Sequence, residues 1–168
     1  MRVLVAVLFW AACGDGGRFA DADTLGSSDV NNASTCNTLE QKGEIAHLHM
    51  VSAVEPTPTG GTLAPGTYVL TDVTRYGVER PDERDYIVVI TIAWDGTRAE
   101  FVSSRTISGQ TRVSRLTTTV TVAGVHLTTR DVCPTTTETH YQYSVTPNGF
   151  DLFGQFYGSR MVQHFERL

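Results

Sequence analysis

Thr117 to Val122 reads Thr-Thr-Thr-Val-Thr-Val, and Tyr86 to Trp94 is almost wholly β-branched or aromatic. Side chains branched at Cβ lose rotamer freedom in a helix and pack well on a pleated surface. Helical periodicity is nearly absent elsewhere, so the body of the chain is committed to strands. Turn signals punctuate it at short intervals: Gly77, Asp95-Gly96, Ser108-Gly109, Ala123-Gly124, Pro134, Asn148-Gly149 and Gly158. Asp-Gly and Asn-Gly favour the positive φ of tight hairpins. The intervals predict eight antiparallel strands, over residues 67–76, 86–94, 97–107, 111–122, 125–132, 137–146, 150–156 and 160–167.

Eight strands in simple succession predict an all-β fold, an up-and-down barrel whose closure removes exposed edges. A two-sheet β-sandwich is the alternative. Alternation selects the inner face. Tyr86, Val88, Ile90, Ile92 and Trp94 share one side of their strand; so do Ala99, Phe101, Ser103 and Arg105, and Leu116, Thr118, Val120 and Val122. Near the end Phe150, Leu152, Gly154 and Phe156 alternate with Asp151, Phe153 and Gln155. Tyr86, Ile90, Trp94, Phe101, Leu116, Phe150 and Phe156 are therefore the candidate lumen residues.

The N-terminus carries a different signal. Met1-Arg2 is followed by an apolar run from Val3 to Trp10 and then Ala11-Ala12-Cys13. A membrane span needs about 20 apolar residues, and this run stops at Gly14-Asp15-Gly16-Gly17. One basic residue, a short apolar region and small residues before a cysteine resemble a bacterial lipoprotein signal peptide. Trp10 stands where that pattern usually has a smaller aliphatic residue. The resemblance implies that residues 1–12 are removed and that Cys13 is acylated. The chain would then be tethered to a membrane, with its domain in the periplasm or at the cell surface. The alternative is a buried N-terminal strand with a chance cysteine. Residues 13–35 are rich in Gly, Ser, Asn and Asp and read as a solvated linker. Asp15, Asp21, Asp23 and Asp29 do not follow the ligand spacing of a calcium loop. Residues 36–168 are of single-domain size. With Cys13 lipidated, Cys36 and Cys133 remain as an even pair for one disulfide; two free thiols or a metal site are the alternatives. The net charge of −5 and the lack of a Lys/Arg block argue against nucleic acid as a partner.

Gly66-Thr67-Tyr68 resembles the opening of the first strand in lipocalin-type barrels, with Tyr68 where a Trp is usual. The stretch Pro56 to Gly61, followed by Gly66 to Thr71, also resembles lipoproteins of myxobacteria. The lipocalin resemblance implies a small apolar ligand in the lumen. It also implies an arginine from the last strand packed on the first-strand ring, which here would pair Arg167 with Tyr68 as a cation–π contact closing the barrel.

Catalytic signals are weak. His47-Leu48-His49 places two imidazoles on one strand face, but a metal needs three or four converging ligands. His126, His140 and His164 are scattered. Glu79, Asp82, Glu83 and Asp85 alternate with Arg80 and Arg84 in what reads as a solvated loop. No nucleophile elbow, phosphate loop or dinucleotide fingerprint occurs. The expectation is a non-enzymatic protein without cofactor or metal. The leading class is a carrier or sensor of a small hydrophobic ligand. A structural or interaction protein of the envelope with a filled barrel is the second class, and an enzyme using His47 and His49 the third.

Overall fold

The β-branched segments become strands with the predicted spacing. A computed structural model describes residues 36–77, 87–107, 110–156 and 159–168, so Cys13, the linker before Cys36 and Tyr86 lie outside the described residues. Among the described residues there are nine strands and no helix: β1 (His47–Val51), β2 (Gly66–Tyr76), β3 (Ile87–Trp94), β4 (Arg98–Ile107), β5 (Gln110–Ala123), β6 (His126–Cys133), β7 (Glu138–Thr146), β8 (Gly149–Phe156) and β9 (Ser159–Arg167).

From β2 to β9 each strand pairs antiparallel with the next, and β9 returns to β2 from Tyr68↔Arg167 to Tyr76↔Arg160. That return closes an eight-stranded up-and-down barrel and leaves no place for a two-sheet sandwich. Aspartate organises one of the hairpins as its residue type suggests. Asp95 Oδ1 accepts from the amides of Thr97 at 2.8 Å and Arg98 at 2.7 Å, which holds its carboxyl below the usual range.

β1 is the addition to the eight-strand expectation. It runs parallel to β2 from His47↔Asp72 to Val51↔Tyr76. β3 pairs with β2 only from Gly66↔Trp94 to Val69↔Thr91. β1 therefore takes the position beside the second half of β2 that β3 leaves, and Ala46 N–H donates to Val88 O at 3.0 Å at the junction. The end of the barrel holding Gly66, Trp94 and Gly149 is called the base below, and the opposite end the mouth.

The inner face follows the alternation. Tyr68, Leu70, Val73, Val88, Ile92, Trp94, Ala99, Phe150, Met161 and Phe165 form one buried cluster. Phe150 stacks on Phe165 with centroids 4.8 Å apart and meets Tyr68 edge-on at 5.2 Å.

Two irregular segments wrap this barrel. The first, residues 36–46, crosses the outer faces of β3, β4 and β5. Its start is fixed by the Cys36–Cys133 disulfide, with Cα atoms 5.5 Å apart. The Asn37 side-chain amide donates to Phe101 O and Leu116 O. Thr91 Oγ1 accepts from Lys42 N–H at 2.7 Å and donates to Lys42 O at 2.8 Å. These outward threonines and Val102 are thereby buried: Thr91 and Val102 are 0% exposed and Thr117 1%. The second segment, residues 52–65, leaves β1 at the mouth, ion-pairs to β9 through Glu55 and Arg160, and joins β7 at Gly60. It then crosses the base before β2 begins.

Candidate functional site

The base is plugged. Carbonyls of the second segment accept hydrogen bonds from inner-face or base residues on several strands. The Tyr143 hydroxyl donates to Gly61 O and the Tyr68 hydroxyl to Ala64 O. Trp94 Nε1 donates to Leu63 O at 3.4 Å, and Arg167 Nη2 to Pro65 O at 2.8 Å. Burial raises the pKa of both tyrosines, opposed at Tyr68 by the nearby Arg167 charge. Each buried aromatic thus finds a partner for its one polar atom.

Tyr68 and Arg167 are register partners. The recorded ring contact of Tyr68 is with Phe150, while the Arg167 guanidinium lies over Gly66 and holds Pro65 O. Outside this plug a shallow groove of about 700 Å³ is lined by residues including Thr62, Ala64, Thr146, Asn148 and Leu168.

Above the base the packing changes. Trp94 and Phe150 are buried, whereas Ile90, Phe101, Leu116 and Leu152 face inward yet remain only half-buried. Ile90, Phe101 and Leu152 lie against the core cluster, and Leu116 is the register partner of Phe101. The side chain of Phe156 lies outside the described residues. The predicted lumen set is therefore split by height into a packed base and a half-buried upper part.

The upper lumen also carries polar groups that hydrophobic alternation passed over. Arg75, 3% exposed, follows Val73 on the inner face of β2, and Arg105 lies on that of β4. Across from them Asp131 is the register partner of Thr118. Burial pushes the Asp131 carboxyl up, opposed by the Thr118 hydroxyl. Tyr141, on β7, is pushed up strongly by burial and by the Asp131 charge. An apolar wall with a few fixed polar groups is the usual composition of a small-molecule site. Asp131 was hidden in the sequence by its neighbours Arg130 and Val132, where only the alternation from Leu127 marks it as inward.

His47 and His49 share the outer face of β1, with ring centroids 6.5 Å apart. His49 Nε2 lies 3.0 Å from Asp72 Oδ1. Among the described residues no cluster of three or more His, Cys, Asp or Glu side chains is placed to hold a metal. Comparison with protein families, with curated proteins and with solved structures gives no match. The closed barrel and its disulfide are what the chain itself establishes, and the bond fits an oxidising, extracytoplasmic compartment.

Proposed function

We propose that the protein is a lipid-anchored lipoprotein of a bacterial cell envelope whose barrel binds a small apolar ligand in its upper lumen. The observation that carries the binding reading is the half-buried inward set Ile90, Phe101, Leu116 and Leu152 above a packed base. Apolar side chains on an inner face keep accessible surface only where nothing of the protein fills the space against them. A ligand of matching polarity gains by covering them. Asp131, on the same inner face, offers a polar contact that would orient it. The anchor rests on Ala11-Ala12-Cys13 and the short apolar run before it. The disulfide supports export.

Native mass spectrometry of the full-length protein, extracted from its own membranes in mild detergent, tests both parts. A mass increment on Cys13 that survives denaturation supports the anchor. A stoichiometric small molecule lost on denaturation supports the carrier reading. A bare lumen that also takes up no apolar probe favours the second reading, an envelope scaffold presenting its loops to a protein partner. The stacked Phe150–Phe165 base and its plug are the observations on that side.

A further inference from the structure

Three outward side chains, far apart in sequence, meet on the wall formed by β2, β9 and β8. His164 is the register partner of Asp72 on one side and of Asp151 on the other. Its Nδ1 lies 2.8 Å from Asp151 Oδ1, and its Nε2 lies 2.9 Å from Thr74 Oγ1. An ionised carboxylate only accepts, so Asp151 places the ring proton on Nδ1. Nε2 is then the acceptor and the Thr74 hydroxyl the donor. This is the order of nucleophile, base and orienting acid found in acyl-transfer sites.

The backbone is shaped for the contact. β2 carries a bulge between Leu70 and Asp72, and the Thr71 hydroxyl donates to His164 O at 3.2 Å. Bulges re-aim side chains on a strand. Thr74 is thereby the diagonal neighbour of His164 across the ladder. On the other side of β2 the register partner of Thr74 is His49, which Asp72 holds at 3.0 Å. The site thus has a second imidazole beside the hydroxyl. The wall is accessible to a small molecule, with the His164 and Asp151 side chains 33% and 25% exposed.

We propose that Thr74, His164 and Asp151 form an ester-cleaving site on the outer wall, separate from the lumen. Thr74 Oγ1 bonds to the carbonyl carbon of a small carboxylic ester as its proton passes to His164 Nε2. The imidazolium gives that proton to the leaving alcohol oxygen as the C–O bond breaks. A water molecule, deprotonated by Nε2, then attacks the threonyl ester. The acid leaves, and the proton returns to Thr74 Oγ1.

The barrel contains its own control. Thr128 Oγ1 lies 3.0 Å from His140 Nδ1, and Glu138 Oε1 lies 3.4 Å from His140 Nε2. These groups are the same kinds, but the acid is farther off and the His140 and Glu138 side chains are more than half exposed, at 65% and 55%. This set is expected to be inactive.

The test is hydrolysis of p-nitrophenyl acetate by the full-length protein in mild detergent, with intact-mass analysis of acid-quenched samples and peptide mapping. The expected result is one acetyl group on Thr74 and steady turnover. Thr74→Val, which keeps the side-chain shape, and His164→Gln lower the rate by about 100-fold or more. His140→Gln keeps it, and Thr74→Ser carries the acetyl group on the serine at an altered rate. Thermal melts check that each variant is folded, and Thr74→Ser keeps the test valid if the valine variant is not. Absence of a threonyl ester, or an equal loss in His140→Gln and His164→Gln, overturns the proposal, because simple surface imidazole catalysis then accounts for any hydrolysis.

Discussion

The guanidinium of Arg167 occupies the space that a side chain at position 66 would need. A Cβ on Gly66 would lie 2.6 Å from Arg167 Nε. β9 is thereby locked over β2 at the base, where Arg167 also holds Pro65 O. A flexible side-chain end can move aside, so Gly66→Ala is expected to cost only about 1 kcal/mol in urea unfolding.

Gly149→Ala is the severe counterpart. A Cβ there would meet Phe165 O at 1.8 Å, and backbone in a closed ladder cannot retreat. The expected loss is about 3 kcal/mol or more, or failure to fold, read from denaturation curves or soluble yield.

The Cys36–Cys133 bond closes a loop with a sequence separation of 97. Replacing both cysteines by serine is expected to cost about 4 kcal/mol by chain entropy. Hydrogen exchange should show the amides of residues 36–46 losing protection before those of the barrel strands.

Burial raises the Asp131 pKa in the folded protein above its unfolded value. The folded state then binds that proton more tightly. Ionisation costs stability above the folded pKa, and the cost vanishes once the pH is below the unfolded value. Asp131→Asn is therefore expected to raise the melting temperature at neutral pH. The gain should fade to nothing by about pH 3, as thermal melts across that range would show.

The height at which packing inside the barrel loosens is testable with two substitutions of one kind. Leu116→Trp is expected to leave stability within about 1 kcal/mol and to abolish uptake of a fluorescent apolar probe. Val73→Trp, at a position 0% exposed, is expected to cost about 2–3 kcal/mol through overpacking.

The wall of this barrel was legible in the sequence because period-2 alternation survives along β3, β4, β5 and β8. Phe101 and Leu116, assigned inward separately, are register partners. The cysteine pair was legible from parity. The residues His47 to His49 read as a strand, but their place in the wall was not legible, because a five-residue strand does not reveal its parallel pairing with β2. Nor was the wrapping legible. Thr91 and Thr117 look like solvent-facing strand hydroxyls, and only the folded arm reveals their partners as the backbone of Lys42 and Cys36. The Thr74–His164–Asp151 contact escaped for a related reason. Alternation marks Asp151 as outward, but its meeting with Thr74 depends on the register of β2 with β9, between residues 90 apart.

That long-range ladder has a kinetic consequence. β2 cannot complete its hydrogen bonds until β9 arrives, and the eight register pairs between them join the two ends of the barrel sequence. High contact order slows folding. A chain interrupted before Ser159 would present two unpaired strand edges at once, each a template for another copy. The last nine-residue strand is therefore what separates a sealed barrel from an aggregating sheet.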